Sequence, residues 1–279
     1  MMEYVVGLYL LLNFYTRIKL FIIKRRIKGP GEIRKGAEGF FYKRGKIGVL
    51  MLHGFSSSPA EFRRLAKKLA ENNITCYCPL MPGHGTSPER MTMIKWYQWQ
   101  DFLNNQLKVM EENCNKIFLV GNSLGGNYAI NMANKSDKIK GIVLMATPIY
   151  VRGGRFSKMV FAILRSIKLF QKKISPTVDG KTTYDRTYAY DVLPLKSVKE
   201  AFKVMKVSQN ELKNVNKPVL IMQSADDYTL PKSNAMYIYN NIGSKKKKIT
   251  YINLKQHVFL VYVHEKVFQD TYEFIKANS

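Results

Sequence analysis

The sequence predicts an α/β fold, a doubly wound and mostly parallel sheet with an inserted helical cap. Two observations lead to this prediction. From residue 46 onward, short apolar runs alternate with stretches of helical period, and this alternation produces a parallel sheet with helices on both faces. The alternation stops for about seventy residues after Ala146 and resumes near Pro218, which indicates an insertion into the sheet domain.

Six apolar runs are predicted to form the strands of this sheet. Continuous apolar runs of this length are typical of strands that are covered on both faces. They cover residues 46–52, 74–80, 116–121, 142–146, 219–224 and 249–253. Because such a sheet binds its ligand beyond the carboxyl ends of its strands, the residues that follow these runs are the candidates for chemistry.

Helices are predicted between the strands and in the inserted segment. Those of the sheet domain cover residues 59–72, 96–110, 124–135, 231–240 and 264–277. The insertion begins with a stretch that is apolar on one side from Phe156 to Phe170 and basic on the other, and a second helix is predicted near its end, over 197–210. The predicted organisation is an N-terminal segment (1–30), a core (31–148 and 214–279) and a helical cap (149–213).

The chain is strongly basic, with 45 Lys and Arg residues against 20 Asp and Glu residues and a net charge of +25. Such an excess favours anionic partners: a lipid surface, an acidic substrate or nucleic acid. An ordinary solvated basic surface gives the same composition, and both interpretations stay open. No nucleic acid is expected as a partner, because the lysines are spread along the chain without a nucleic-acid-binding motif.

Three cysteines, Cys76, Cys78 and Cys114, are expected to be reduced packing residues. Their odd number and irregular spacing do not fit a disulfide framework, and free thiols indicate a reducing compartment. The expected location is therefore the cytoplasm. No set of metal-ligand side chains accompanies the cysteines, so no metal site is predicted. No organic cofactor is implied either.

The N-terminal segment is hydrophobic and then basic. The apolar run over 4–23 contains Asn13, Arg17 and Lys19, and a basic cluster follows it over 24–28. A cleavable signal peptide is not expected, because the run lacks a charged region before it and a small-residue cleavage site after it. The internal charges fit an interfacial helix better than a spanning one. We favour attachment to the anionic inner face of a membrane; an ordinary helix or strand packed on the domain is the alternative.

The pentapeptide Gly121-Asn122-Ser123-Leu124-Gly125 carries the strongest chemical signal. It follows a predicted strand and opens a predicted helix, which is the setting of a nucleophile elbow. In that elbow a serine occupies a strained turn between small residues, here Gly121 and Gly125. The helix that begins at Leu124 directs its positive end toward the site. Ser123 is therefore the predicted nucleophile.

Ser123 requires a general base, and histidine is the usual one. His257 follows the last predicted strand, in the chain order serine, acid, histidine; His264, inside the last predicted helix, is a weaker alternative. The acid that orients the histidine should follow a strand between the two. Asp226 and Asp227 both qualify, and Asp226 is chosen because it lies closer to the strand end. Asp227 is then expected to face solvent or to cap the next helix.

Two backbone N–H groups are needed to stabilise the oxyanion of an acyl-transfer reaction. Leu124, directly after the nucleophile, supplies one. Phe55, in the loop that follows the first predicted strand of the core, is the expected second donor. His84, in the turn at 82–85, is expected to be structural.

These segments together resemble the carboxylesterase and monoacylglycerol lipase branch of the α/β-hydrolase family. The matching pieces occur in family order: LHGF (52–55), PGHGTS (82–87), GNSLGG (121–126), QSADD (223–227) and QHV (256–258). The resemblance covers the chain from about Gly48 onward. It implies a catalytic triad of Ser123, Asp226 and His257 and an oxyanion hole formed by Phe55 and Leu124.

The resemblance also bears on the acid, because the SADD segment matches the family's acid loop in a register that favours Asp226 over Asp227. Three features depart from the family. Gln256 stands where the family commonly has glycine, the cap is unusually basic, and the hydrophobic N-terminal segment is not part of the pattern.

The expected activity is hydrolysis of a carboxylic ester through an acyl-Ser123 intermediate, with His257 taking the serine proton and later activating water. The apolar side of the cap helix suggests an acyl pocket, so monoacylglycerols or lysophospholipids are the predicted substrates. A thioesterase or acyltransferase would use the same residues, and a C–C hydrolase or a peptidase is less expected. A non-catalytic scaffold is the alternative from another class; such scaffolds usually lose a triad member, and here every position is filled. The sequence predicts no oligomeric state.

Overall fold

The computed structural model describes residues 2–29, 31–150, 153–173, 177–178, 181–182, 185, 187–262 and 264–279. Its strands are β1 (Phe40–Tyr42), β2 (Ile47–Leu52), β3 (Thr75–Cys78), β4 (Lys116–Asn122), β5 (Ile139–Met145), β6 (Phe170–Lys172), β7 (Thr177–Val178), β8 (Lys181–Thr182), β9 (Val192–Pro194), β10 (Val219–Ser224) and β11 (Lys247–Ile252). Within the described chain, β1 to β5 with β10 and β11 form a seven-stranded sheet. Every strand predicted from the sequence is present in it, with ends shifted by a few residues.

The strand order in this sheet is β1-β3-β2-β4-β5-β10-β11. Neighbouring strands run parallel except β1 and β3, which pair antiparallel at one edge. The doubly wound, mostly parallel sheet predicted from the sequence is therefore confirmed. The edge strand β1 was not predicted, because only Phe40 of its three residues is buried and no continuous apolar run results.

The direction in which the sheet is built reverses at β2. From β2 the chain moves to β3 on one side and then returns to β4 on the other. The loops that leave the carboxyl ends of β2 and β4 therefore diverge and open a crevice at this edge of the sheet. Ser123 follows β4 and the segment 53–58 follows β2, so both lie at this crevice.

Helices cover both faces of the sheet. The α-helices that the structure describes are α1 (Met2–Arg26), α2 (Arg63–Glu71), α3 (Pro88–Met91), α4 (Trp96–Asn113), α5 (Leu124–Met132), α6 (Gly154–Ile167), α7 (Leu195–Glu211), α8 (Ser233–Asn241) and α9 (His264–Ala277). Side chains of α2 and α9, including Leu69 and Ile275, join one buried cluster. Those of α4, α5 and α8, including Trp99, Tyr128 and Ile238, join the other. Burial on both faces is what the continuous apolar strands require.

The cap contains α6 and α7 together with two short antiparallel ribbons, β6 with β9 and β7 with β8. The sequence predicted only helices here. The described ribbon residues are mostly partly exposed, so they form no apolar run that would predict a strand. Helix α6 ends at Ile167 rather than at Phe170. Lys172 and Lys173 therefore lie beyond the helix.

Helix α1 precedes the sheet domain and packs on α6 of the cap. In the described chain it is the one helix long and apolar enough to cross a membrane, over Tyr4–Arg26. Many of its apolar side chains are exposed, among them Leu8, Leu11 and Phe14. A long apolar helix is thus held on the cap by part of its surface only.

All three cysteines are buried and free of disulfide bonds. Cys76 and Cys78 lie on β3, and Cys114 follows α4. Burial raises the pKa of each thiol above its ordinary value. The thiols are therefore protonated packing groups, as the sequence indicated.

Candidate active site

Ser123 occupies the sharp turn between β4 and α5. Its backbone has φ 51° and ψ −121°, and a residue with a side chain adopts this positive φ only under constraint. The constraint comes from two hydrogen bonds: Ser123 N–H donates to the carbonyl oxygen of Met145 (2.8 Å), and Gly126 N–H donates to the carbonyl oxygen of Ser123 (2.9 Å). The structure therefore contains the strained turn that the pentapeptide predicts.

Glycine is required on both sides of this turn by close backbone contacts. A Cβ atom on Gly125 would lie 1.8 Å from the carbonyl oxygen of Leu52, and one on Gly121 would lie 2.3 Å from the carbonyl oxygen of Gly125. Only glycine fits at either position, because it has no Cβ atom. The close packing brings the N-terminus of α5 to Ser123, where the helix contributes positive potential.

His257 lies between β11 and α9 and contacts both a serine and a carboxylate. Its Nε2 atom is 3.0 Å from Ser123 Oγ, and its Nδ1 atom is 2.8 Å from Oδ2 of Asp227. With Nδ1–H donating to the carboxylate, Nε2 is left to accept the serine proton. One chain of hydrogen bonds thus joins Ser123, His257 and Asp227.

The side chain of Asp227 is 0% exposed, in the turn that follows β10. Its Oδ1 atom accepts the backbone N–H groups of Thr229 (2.7 Å) and Leu230 (2.9 Å), while Oδ2 faces His257. Burial alone would raise the pKa of Asp227, but the neighbouring His257 and these hydrogen bonds outweigh it and hold the pKa below its ordinary value. The carboxylate is therefore both ionised and fixed in direction.

The prediction that Asp226 orients the histidine is wrong. The side chain of Asp226 is 63% exposed, and its Oδ1 atom lies 3.9 Å from Lys232 Nζ. The chain turns at 225–226 once β10 has ended, so the first acidic residue points outward and the second lies beneath the histidine loop. The prediction of Asp226 rested on its position closer to the strand end and on the register of the family resemblance. Asp227 caps the turn with one carboxylate oxygen and holds His257 with the other.

His53 and His84 lie in the core instead of in this chain of hydrogen bonds. His53 Nε2 accepts the N–H of Met81 (3.1 Å), and burial lowers the pKa of His53 to about 4. His84 Nδ1 lies 3.2 Å from the carbonyl oxygen of Pro82, and burial lowers its pKa as well. Both rings are therefore neutral structural groups. The side chain of His264, the weaker candidate for the base, lies outside the described part of the chain.

The two predicted oxyanion donors both lie beside Ser123. Leu124 is the first residue of α5, so its N–H has no partner within the helix. Phe55 N–H makes no hydrogen bond to any described residue. A Cβ atom on Gly54 would lie 3.4 Å from Ser123 Cβ, so the loop that carries Phe55 passes close to the serine. The arrangement offers two N–H groups to a charge that develops next to the serine.

Glu61 lies beneath this loop and was missed by the sequence reasoning. Its side chain is almost fully buried; Oε1 accepts the N–H of Gly54 (2.8 Å) and Oε2 accepts the hydroxyl of Ser57 (2.6 Å). Burial raises the pKa of Glu61 to about 7, against the opposing effect of these hydrogen bonds. The spacing Ser58-x-x-Glu61 is that of a helix capping box, so the sequence does not reveal that the carboxylate turns toward the loop.

Lys173 of the cap holds the same loop from the opposite side. Its Nζ atom donates to the hydroxyl of Ser56 (2.6 Å) and to the carbonyl oxygen of Tyr190 (2.6 Å). Tyr190 N–H in turn donates to the carbonyl oxygen of Ser56 (2.9 Å). Burial lowers the pKa of Lys173 to about 8. Nothing in the sequence points to this role, because Lys173 is one of many lysines in a basic segment.

A cavity of about 430 Å³ opens above the serine, between the core and the cap. Its volume lies within the range of small-molecule sites. Apolar side chains in its lining include Phe55, Leu193 and Val258, and polar ones include Lys172, Thr187 and Tyr228. Among the described residues, no group of three or more His, Cys, Asp and Glu side chains is arranged to hold a metal ion.

Comparison with known proteins gives concordant matches. A model of the family described as "Serine aminopeptidase, S33" matches residues 44–261. The thermostable monoacylglycerol lipase of Bacillus sp. (strain H-257) is 27% identical over 256 residues, covering 88% of this chain and 97% of the relative. The carboxylesterase of Bacillus subtilis (strain 168) is 26% identical over 242 residues, covering 85% of this chain and 95% of the relative.

Solved structures share the fold. A structure described as one of LipS and LipT, two metagenome-derived lipolytic enzymes, matches with a TM-score of 0.81 and 26% identity, covering 88% of this chain and 100% of that one. The monoacylglycerol lipase of Paleococcus ferrophilus matches with a TM-score of 0.69 and 20% identity, covering 86% of this chain and 98% of that one. The latter likeness concerns the fold alone.

Proposed function

The chain belongs to the serine aminopeptidase S33 family of α/β hydrolases and is a serine hydrolase, and we propose that it cleaves carboxylic esters through an acyl-enzyme formed on Ser123. The single observation that carries this proposal is the chain of hydrogen bonds from Ser123 through His257 to Asp227. The triad proposed is therefore Ser123, His257 and Asp227.

The reaction proceeds in two steps. In the first, Ser123 Oγ attacks the ester carbonyl, His257 Nε2 takes the serine proton, and the negative oxygen is stabilised by the N–H groups of Phe55 and Leu124. His257 then protonates the departing alcohol, and Asp227 stabilises the transient imidazolium. In the second step His257 activates a water molecule, which releases the acid and restores the serine.

The substrate we propose is a monoacyl ester with a polar alcohol, such as a monoacylglycerol or a lysophospholipid. The cavity lining supports this class, because it combines apolar side chains with hydroxyl and amine groups. The names of two relatives, a monoacylglycerol lipase and a carboxylesterase, point to the same chemistry. The acyl chain would contact Leu193 and Val258, and the alcohol would face Lys172 and Tyr228.

Peptide cleavage is the second candidate, because the matched family carries an aminopeptidase name. An aminopeptidase must hold the positively charged amino terminus of its substrate. The carboxylate in the described lining is Glu61, which is already bonded to Gly54 and Ser57. Lys172 and Lys173 add positive charge to the same lining. The electrostatics therefore favour an ester over a peptide.

The test is hydrolysis of p-nitrophenyl esters from acetate to palmitate by the wild type and by Ser123→Ala. We expect the variant to lose at least about 10³-fold in kcat/KM, with the best chain length reporting the acyl pocket. An acyl-thioester and leucine p-nitroanilide, assayed in parallel, separate the thioesterase and the aminopeptidase from the esterase. A folded wild type that turns over none of the oxygen esters would contradict the proposal.

A further inference from the structure

The junction between α1 and the cap encloses a second cavity, separate from the active site. It measures about 570 Å³, and it is lined by α1 on one side and by the segment 167–170 on the other. Lys19, Arg26 and Lys168 are the cationic side chains of its lining, and most of the others are apolar. Helix α1 lies before residue 44, where the family match begins, so this cavity is a feature of the chain beyond the family pattern.

The same junction concentrates positive charge. Partial burial lowers the pKa of Lys196 on α7, and the charges of Lys24, Lys95, Arg165 and Arg17 lower it further. Within the described residues, neither these side chains nor the three cations of the cavity form an ion pair with a carboxylate. Like charges held this close repel one another, so an anion bound between them stabilises the folded arrangement.

After Glu3, the first half of α1 is largely apolar and is interrupted by Asn13. Residues 4–16 carry no charge, and many of their side chains are exposed, including Leu8, Leu11 and Phe14. This stretch is about 20 Å long, which is too short to cross a hydrocarbon core of about 30 Å but long enough to enter one leaflet. The charges that begin at Arg17 would then lie at the level of the headgroups.

We propose that the α1–cap cavity binds the phosphate headgroup of an anionic phospholipid in a membrane leaflet that the uncharged stretch 4–16 of α1 enters. Lys19, Arg26 and Lys168 contact the phosphate oxygens, and the apolar walls accept the adjoining part of the acyl chains. Charge complementarity favours this partner, because a neutral lipid surface supplies no negative charge to offset the cationic side chains of the cavity. Binding of this kind requires no reaction at Ser123 and is independent of the proposed function.

Co-sedimentation of the full chain with vesicles tests the site. The vesicles are phosphatidylcholine alone or phosphatidylcholine mixed with phosphatidylglycerol. The cavity variant, K19Q/R26Q/K168Q, is compared with K245Q/K246Q/K248Q, which removes the same charge from exposed side chains near the start of β11. We expect the wild type and the control to bind the anionic vesicles, and the cavity variant to bind about 10- to 100-fold more weakly.

Three results would overturn the site. Equal losses in the cavity variant and the control would indicate unspecific attraction to the net charge. Equal binding of the wild type to both kinds of vesicle would exclude a role for the anionic headgroup. A stable dimer without vesicles, measured by sedimentation velocity, would assign the apolar half of α1 to a second copy of the chain.

Two further measurements keep this test separate from that of the proposed function. Thermal denaturation establishes that all three proteins are folded, and hydrolysis of p-nitrophenyl acetate reports the active site. Loss of vesicle binding with hydrolysis intact is the expected result for the cavity variant. Vesicle binding without any hydrolysis by the wild type would contradict the esterase and leave the lipid site in place.

Discussion

The floor of the active site and the cap above it are built in opposite ways. In the floor, Ser123 is held by its strained turn and Asp227 by two backbone N–H groups, with His257 hydrogen-bonded between them. In the cap, α6 exposes Phe156 and Met159 to solvent, and the ribbons are short and partly exposed. The buried sheet therefore fixes the chemistry, whereas substrate and location depend on surfaces with few packing constraints.

The largest effect is expected for Asp227→Asn. The amide cannot stabilise the imidazolium and favours the wrong tautomer of His257, so kcat/KM for a soluble ester should fall by about 10³- to 10⁴-fold. Asp226→Asn is the matched control, because it removes the same charge from the exposed side chain one residue earlier. Its kcat/KM should stay within about twofold of the wild-type value. Steady-state kinetics of both variants decide which carboxylate orients the histidine. A larger loss of kcat/KM in Asp226→Asn than in Asp227→Asn would contradict the structural assignment.

Gly125→Ala tests whether the floor tolerates any movement. Its Cβ atom would lie 1.8 Å from the carbonyl oxygen of Leu52, so α5 or β2 must shift, at an expected cost of about 2–4 kcal/mol in the free energy of unfolding. Gly7→Ala in α1 is the control, since its Cβ atom meets nothing within 4 Å, and alanine suits a helix. Urea denaturation should separate the two variants clearly; similar midpoints would mean that the elbow is not tightly packed.

Glu61→Gln is expected to change how stability depends on pH. The pKa of Glu61 is raised to about 7 in the folded chain from an ordinary value of 4.5, so the folded state keeps a proton that the unfolded state has released. The contribution of Glu61 to stability is therefore fully present below pH 4.5 and is lost as the pH rises through about 7.

Glutamine retains an acceptor for Gly54 N–H and can donate to Ser57, but it does not titrate. Relative to the wild type, Glu61→Gln should become more stable by on the order of 1–3 kcal/mol between pH 5 and pH 8. Unfolding midpoints measured across that interval check the prediction. Parallel pH profiles for the two proteins would show that the buried carboxyl does not titrate there.

The smallest effect is expected in the contact between the cap and the loop that carries Phe55. Lys173→Gln loses the charged hydrogen bond to Ser56, and we expect kcat/KM for a short ester to fall about fivefold to tenfold, or roughly 1 kcal/mol. Lys199→Gln removes the same charge from an exposed residue of α7 outside the active-site cavity, and its kcat/KM should stay within about twofold of the wild-type value. Both variants are assayed on p-nitrophenyl acetate. An equal loss of kcat/KM in both would mean that the positive charge of the cap matters and the hydrogen bond to Ser56 does not.

Much of the floor could be predicted from the sequence because its signals are local. The apolar runs define the strands, the pentapeptide at 121–125 requires a sharp turn, and His257 stands in the expected chain order. The resemblance to the carboxylesterase and monoacylglycerol lipase branch is confirmed by the family match and the relatives. The choice between Asp226 and Asp227 failed because it depends on how one turn bends, which no periodicity or propensity reports.

The remaining features could not be predicted because their signals are distributed along the chain. Glu61 and Lys173 contact the loop from two segments that are far from each other in sequence. Both belong to residue types that are common on surfaces. The cap ribbons lack buried apolar runs. The cavity at α1 exists only because a helix outside the family match packs on α6.

The attachment of the cap to the loop at 53–58 has a consequence for protein engineering. The cap contacts this loop at Ser56 through Lys173 and Tyr190, and at Ser58 through the carbonyl oxygen of Thr187. A chimera that receives a new cap but keeps its old loop would lose these bonds and misalign the N–H of Phe55. The unit of exchange between homologous enzymes is therefore the cap together with that loop, two segments separated in sequence that must be recombined as one.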